Sequence, residues 1–311
     1  MRISIIVQFV KFSIYGNNKV PDSKMKTSSN SCISVIIPTY NRCWVLKEAI
    51  DSVLSQKFAN FEVIVVDDGS TDATSELLST YGEQITTIGQ QNKGVSAARN
   101  AGISFARGGY IAFLDSDDMW LPEKLSCQHD FFQSHPEAFI CQTDEIWIRN
   151  GVRVNPKKRH KKPSGMIFEA SLQLCLVSPS AVMIKKSLFD AVGLFNESLP
   201  ACEDYDLWLR IGLHYPIYLI DRQLVVKRGG HDDQLSRNPG LDRYRIQSIV
   251  NILENHTLTT PYYRAAVDVL REKCRIYADG CIRRDKVDEA AFYQAIASRY
   301  THGDSTAPYN D

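Results

Sequence analysis

Between Asp115 and Asp118 the chain places three carboxylates in four residues, Asp115, Ser116, Asp117 and Asp118. They follow the apolar run Tyr110 to Leu114. Ionised and unpaired at the end of a buried strand, such a group is costly, because burial and like charge both disfavour the charged form. A divalent cation relieves the repulsion. Aspartate oxygens are hard ligands suited to Mg²⁺ or Mn²⁺, ions that keep several waters and share their remaining positions with substrate phosphates. The competing use is a helix start: acids favour an N-cap and the dipole behind it, and Pro122 suits a first helical turn. Asp118 is the member that fits that use.

A second acidic group, Asp67, Asp68, Gly69, Ser70, Thr71 and Asp72, ends the apolar run Phe61 to Val66. Gly69 permits a tight turn, and Asp68 has the chemistry to accept hydrogen bonds from a base or ribose. Plain turn chemistry also uses these residue types. Glu203, Asp204 and Asp206 open an apolar helix pattern. A carboxylate there is either a cap or a general base, and a hydroxyl, a poor nucleophile near neutrality, needs such a base. His231, between Gly229–Gly230 and Asp232–Asp233, is a metal-ligand candidate on a loop, although a lone histidine is more often a surface residue.

The elements that must position these groups follow from apolar spacing. Strands are predicted at Val35 to Ile37, stopped by Pro38, and at Phe61 to Val66, Ile85 to Ile88 and Tyr110 to Leu114. Helices alternate with them, at Val45 to Leu54, Asp72 to Tyr81, Val95 to Ala106 and from Pro122 onward. Alternation of this kind predicts a parallel sheet covered on both faces, with ligands at the carboxyl ends of its strands. Both acidic groups lie there. Later segments predict strands at Phe139 to Ile148, Ala181 to Ile184, Ile217 to Ile220 and Leu224 to Val226. A helix is predicted at Glu203 to His214, and about three more between Asp242 and Tyr300.

The chain has 311 residues, 44% hydrophobic, enough for one large α/β domain with an extension. Lys plus Arg equals Asp plus Glu, 36 each, which gives no general reason to expect nucleic-acid binding. The one basic run, Lys157 to Lys162, reads as a solvated loop between Pro156 and Pro163, or as a landing strip for an anionic acceptor or membrane surface. Eight cysteines show no C-x-x-C pair or zinc spacing, consistent with reduced thiols. No run approaches a membrane span. Residues 1–31 read as an extension without a signal-peptide cleavage site, and Met25 is an alternative start.

In order, SVIIPTYNR (Ser34 to Arg42), EVIVVDDGSTD (Glu62 to Asp72), NKGVSAARNAG (Asn92 to Gly102), GYIAFLDSDDMWLP (Gly109 to Pro122), GLFNE (Gly193 to Glu197) and EDYDLWLR (Glu203 to Arg210) resemble the family 2 inverting glycosyltransferases of the GT-A fold. The resemblance covers about Cys32 to Ser236. It implies a Rossmann-like, mostly parallel sheet flanked by helices over residues 32–236, followed by a helical extension over 237–311.

The resemblance also implies roles. Pro38, Thr39, Tyr40 and Arg42 line the nucleotide pocket, Asp68 binds the base, and Gly94 and Arg99 flank the donor, with Arg99 alternatively buttressing the sheet. Asp115, Ser116 and Asp117 form the D-x-D motif, in which Asp117 holds the metal and Asp115 reaches the ribose or the metal shell. His231 is a third metal contact. Asp204 is the catalytic base and Glu203 an acceptor-side or orienting acid. The implied cofactor is Mn²⁺ or Mg²⁺, the donor a nucleoside-diphosphate sugar, and the acceptor a glycan or glycolipid of cell-surface synthesis. The implied location is cytoplasmic, with peripheral attachment at the membrane face left open. Asn196 replaces an acid often found in the GLFNE-type run. No Q-x-x-R-W-like motif occurs, which argues against a processive synthase. Two other functions share parts of the pattern. A nucleotidyltransferase would carry a glycine-rich phosphate loop where PTYNR stands, and a non-catalytic binding protein would not need Asp115, Asp117 and Asp204 together.

Overall fold

The structure is a computed structural model that describes residues 32–230, 234 and 239–300. The N-terminal extension and His231 lie outside the described residues.

The first half alternates strand and helix: β1 Ile33–Thr39, α1 Cys43–Leu54, β2 Phe61–Asp67, α2 Thr74–Ser79, β3 Thr86–Gly89, α3 Val95–Phe105 and β4 Tyr110–Phe113. Strands β3, β2, β1 and β4 lie side by side, all parallel. Their apolar runs are continuous because both faces are covered. Ile33, Val35 and Ile37 of β1 join Val63 and Val65 of β2 in one cluster with α1, while Ile36 joins Ile64 and Val66 in another with α3. This is the two-residue period of a strand, read on two faces.

The second half is mixed. β5 Met119–Trp120, α4 Lys124–Ser134, β6 Ile140–Arg149, β7 Val152–Val154, α5 Phe168–Gln173, β8 Val182–Lys185, α6 Leu188–Val192, α7 Glu203–His214 and β9 Tyr218–Gly229 follow. Strand β8 runs antiparallel between β4 and β6, β9 lies parallel to β6, and β5 pairs antiparallel with β9. Three helices close the described chain, α8 Asp242–Asn255, α9 Thr260–Ile282 and α10 Val287–Arg299. Ile246, Ile249 and Ile252 of α8 and Val267 and Leu270 of α9 share a cluster with Phe168 of α5 and Tyr205 and Leu209 of α7. The extension therefore braces the helix that opens with Glu203 and Asp204. Among the described residues no helix is long and apolar enough to cross a membrane.

Three expectations are corrected. Pro38 does not stop β1, which runs on to Thr39. The Ile36 carbonyl accepts from Leu114 N–H, so residue 38 turns its backbone to the β4 side, where pairing with β4 ends at Ile36 and no ladder bond is lost. Helix α4 starts at Lys124 rather than Pro122, because β5 pairs with β9 and Leu121 N–H still donates to the Leu224 carbonyl. The two late strands are one, β9, with register shifts against β6 between Thr143 and Glu145. These irregularities interrupt the apolar spacing.

Candidate active site

The order β3-β2-β1-β4 fixes where a ligand fits. The chain proceeds from β1 outward to β2 and β3, then crosses back to lay β4 on the other side of β1. At such a reversal the loops after the two central strands diverge and leave a crevice. The loops after β1, β2 and β4 carry Tyr40–Arg42, Asp68–Asp72 and Asp115–Asp118.

The first two loops are locked together. Asn41, at a positive φ of 52°, accepts on Oδ1 from Thr71 N–H at 2.7 Å, while its own N–H donates to Ser70 Oγ at 2.8 Å. Gly69, at φ 81°, sits where an added Cβ would lie 2.9 Å from Asn92 N, so only glycine fits this turn. Asp68 is 4% exposed. Its Oδ1 accepts from Gln90 Nε2 (2.7 Å) and Lys93 N–H (2.9 Å), and Oδ2 from Gly94 N–H (2.8 Å). It therefore holds the 90–94 segment, and with it the start of α3. Pro38 and Thr39 are buried, and Tyr40 is exposed. Thr39 Oγ1 is buried without a hydrogen-bond partner among the described residues.

Helix α3 brings Arg99 under the third loop. Its Nη2 donates to Asp115 Oδ1 at 2.8 Å and its Nη1 to Glu203 Oε1 at 2.6 Å, and the guanidinium lies 5.2 Å from the Phe195 ring centroid. Burial opposes its charge, but Asp115 and Glu203 more than reverse that, so Arg99 stays a cation. One buried fork thus joins the loop after β4 to the first turn of α7, whose Glu203 lies 104 residues from Arg99 in sequence. The GLFNE segment supports it: Asn100, beside Arg99, donates to the Phe195 carbonyl and Glu197 and accepts from Phe195 N–H. Asp206 is absorbed structurally, binding Arg210, which in turn donates to the Val192 and Leu194 carbonyls.

The acidic turn divides its labour. Asp118 N–H donates to the Asp115 carbonyl at 3.0 Å, and Ser116 is buried within the turn. Asp118 is not the helix cap that acids before Pro122 suggest. It is buried, accepting from Ser180 Oγ (2.7 Å) and Arg228 N–H (2.9 Å), which ties the turn to β9. Burial and the charges of Asp117 and Asp115 push its carboxyl well above the usual range, against Lys227 and the Ser180 hydrogen bond. Asp117 is only partly buried, with Arg42 Nη1 3.4 Å from its Oδ2 and Arg228 Nε donating to its carbonyl at 2.5 Å. Asp115 is 28% exposed on its side chain, and Arg99 engages only one of its two oxygens. Carboxylates crowded by like charge, partly exposed at Asp115 and Asp117, are a donor set that fits a hard divalent cation. Among the described residues no three acidic, His or Cys side chains converge as a complete metal cage.

At the start of α7, Cys202 takes a positive φ of 62°, turning the chain so that Glu203 faces Arg99. Glu203 is buried. Burial and neighbouring Asp204 raise its carboxyl pKa, opposed by Arg99. Asp204 is half-buried, and Cys175 Sγ donates to its Oδ2 at 3.5 Å. Burial, with Asp204 beside it, raises that thiol well above the usual cysteine range. Lys227 stands behind this edge, donating to Ser178 Oγ at 3.2 Å. Burial lowers its ammonium pKa, but Glu145, Asp118, Asp115 and Asp204 raise it further, and it stays charged.

Of the residues singled out in sequence, Asp115, Arg99 and Glu203 are in direct contact, Asp117 joins through its turn and Arg42, and Asp204 follows Glu203. Asp68 and Gly94 meet at the same strand edge, at the start of Arg99's helix. Sequence reasoning missed Lys227, Arg228, Ser180 and Cys175. The first two end an apolar strand just before Gly229–Gly230, a signal of the same kind as the acidic strand ends.

Comparison with known proteins gives the family and the fold. The Glycosyl transferase family 2 profile matches residues 34–193, a little over half of the chain. An uncharacterized glycosyltransferase of Rickettsia typhi is 33% identical over 207 residues, 65% of each chain. One from Rickettsia conorii is 33% identical over 219 residues but matched over only 35% of its length. The Escherichia coli UDP-Glc:alpha-D-GlcNAc-diphosphoundecaprenol beta-1,3-glucosyltransferase WfaP is 33% identical over 58% of this chain and 69% of its own. Among solved structures, Staphylococcus aureus TarS 1–349 in complex with UDP-GlcNAc superposes with a TM-score of 0.59 at 19% identity, covering 86% of this chain and 91% of that one. The mannosyltransferase PcManGT of Pyrobaculum calidifontis, in complex with GDP-Man and Mn²⁺, gives 0.56 at 17%, covering 86% and 75%. The fold is GT-A, as the motifs implied, and the chain belongs to glycosyl transferase family 2.

Proposed function

We propose that this protein is an inverting glycosyltransferase, a hexosyltransferase, that moves a sugar from a nucleoside-diphosphate sugar to a hydroxyl of a cell-surface glycan or glycolipid. The observation that carries the reading is the Arg99 fork, which places the D-x-D turn and the first turn of α7 against each other. Donor diphosphate and acceptor base thereby share one edge. Relatives named as glucosyltransferases acting on a diphosphoundecaprenol-linked sugar support the acceptor class. We place its work in the cytoplasm, and divide the chain into a catalytic domain, 32–236, and a helical extension, 237–311.

In this reading the nucleobase lies at Asp68, whose Oδ2 accepts from Gly94 alone among the described residues and keeps capacity for a base N–H. The segment Pro38–Arg42 borders the nucleotide. Asp117, with Asp115 beside it, holds Mn²⁺ or Mg²⁺, and His231 adds a contact. When bound, the ion neutralises charge on the leaving diphosphate. Arg42 and Lys227 supply fixed positive charge nearby, preorganised before the reaction. Asp204 accepts the acceptor's proton as that oxygen attacks the anomeric carbon from the face opposite the diphosphate. One displacement inverts the configuration. Glu203, bound to Arg99, orients the helix start that carries Asp204.

Incubating the chain with UDP-, GDP- and dTDP-sugars, with and without Mn²⁺, tests the reading. Release of nucleoside diphosphate supports it, pyrophosphate exchange supports a nucleotidyltransferase, and silence with every donor supports a binding protein. Asp204→Asn is expected to keep donor binding and lose roughly 10²–10⁴-fold in transfer. A near-normal turnover number removes Asp204 from the mechanism.

A further inference from the structure

Between Glu145 and Glu169 the chain runs 23 residues without an acid and carries seven lysines and arginines, in a protein whose charges balance overall. Lys162, the seventh, is buried and donates to Glu145 Oε1 at 3.0 Å and Gln142 Oε1 at 3.2 Å. The other six, Arg149, Arg153, Lys157, Lys158, Arg159 and Lys161, are exposed, and none forms an ion pair with a described carboxylate. They stand on two adjoining features. The β6–β7 hairpin turns at Asn150–Gly151, both at positive φ, as a tight two-residue hairpin requires. A loop with a single 3-10 turn, Lys158–His160, follows it. Just past the hairpin turn sits Val152, 65% exposed, paired across from Arg149 and followed by Arg153.

This surface is attached to the carboxylate edge. The Lys162 pair fixes the far end of the loop to Glu145, which also accepts from Trp147 Nε1 at 2.9 Å. Trp147 packs edge-on against His160, with ring centroids 5.3 Å apart. Trp147 is also in register with Lys227 of β9, whose charge Glu145, Asp118, Asp115 and Asp204 all favour.

We infer that the β6–β7 hairpin and the loop 155–161 form a docking surface for an anionic lipid bilayer, with Val152 entering the headgroup layer and the cations facing lipid phosphates. Unpaired cations on a solvated surface gain from a negative plane, at roughly five-fold in binding for each residue near it. An exposed apolar side chain set among them gains from a bilayer and not from a soluble polyanion. The inference deepens the glycolipid side of the acceptor reading and rests on it for its purpose. Its test reads binding rather than turnover, so the two fail separately.

The experiment is co-sedimentation of the full chain with phosphatidylcholine vesicles, with and without phosphatidylglycerol, at low and high salt. The expected result is binding to the anionic vesicles alone, weakened by salt. The combined variant Lys157→Ala, Lys158→Ala, Arg159→Ala is expected to lower that binding on the order of 100-fold. Its cleavage of donor in vesicle-free buffer should be unchanged, which also shows that it folds. Val152→Ser is expected to weaken vesicle binding several-fold and leave binding to soluble polyphosphate alone. Equal partition to both vesicle types, or a triple variant that binds as the parent does, overturns the proposal. Vesicle binding untouched by Val152→Ser, with polyphosphate bound as tightly, assigns the surface to a soluble polyanion and also overturns it.

Discussion

Lys124 is buried without a carboxylate partner among the described residues. Its ammonium donates to Gln128 Oε1 at 2.6 Å and lies 3.9 Å from the Trp120 ring centroid. Burial pulls its pKa down to about 7. The folded state therefore holds fewer protons than the unfolded chain between pH 7 and the ordinary lysine value. Over that window the Lys124 contribution makes stability rise with pH, and below it the penalty is present in full. Lys124→Met is expected to stabilise the chain at pH 6 to 7 by on the order of a few kcal/mol, and to remove that part of the pH slope. Denaturant unfolding of both proteins between pH 6 and 10 checks it, and parallel curves would contradict it. Arg99 behaves in the opposite way. Arg99→Leu strands Glu203 and the bound oxygen of Asp115, and is expected to cost about 3–5 kcal/mol, since an uncompensated buried charge remains. Chemical denaturation reads that loss, and donor cleavage should fall with it. A stable, active variant would show that the fork does not position the site.

At the scale of elements, helix α3 joins the halves of the site because it lies very close to β1. A Cβ on Gly102 would stand 2.4 Å from Ile36 Cγ2, and β-branched Ile36 has little freedom to move. Gly102→Ala is expected to destabilise by about 1–3 kcal/mol through overpacking. Adding Ile36→Ala should recover part of that loss in thermal melts, and strict additivity of the two changes would contradict the close packing. The same scale separates what the sequence makes legible from what it hides. The strands and helices through β4 were readable because their apolar residues repeat at clean periods, and α7 was readable to the residue. The two-residue β5 and the five-residue α6 are too short to carry a period. Asp118 misled because acid followed by proline looks the same whether it caps a helix or accepts bonds from a distant strand. Lys227 and Arg228 lie on β9, and only its pairing with β5 and β6 brings them to the acidic turn.

Over the whole molecule, the carboxylates were legible as three acidic strand or helix ends, but the contacts that unite them were not. Arg99 is the clearest case: nothing in its own segment indicates that it binds both Asp115 and Glu203. The C-terminal helices carry no motif, and their part emerges only from packing. Because α8 and α9 share a cluster with α7, Ile249→Ala, at a fully buried position, is expected to cost about 2–5 kcal/mol and to lower the melting temperature in a single transition. Two separate transitions would show that the extension folds apart from the site it braces.

In the proposed mechanism distant carboxylates share one site and divide its work, Asp117 holding the donor's diphosphate end and Asp204 serving the acceptor. Calorimetric titration of nucleoside diphosphate in Mn²⁺ into the parent chain, Asp117→Asn and Asp204→Asn tests it most directly. Asp117→Asn is expected to lose the metal-dependent affinity and Asp204→Asn to keep it. Undiminished affinity in Asp117→Asn would contradict it.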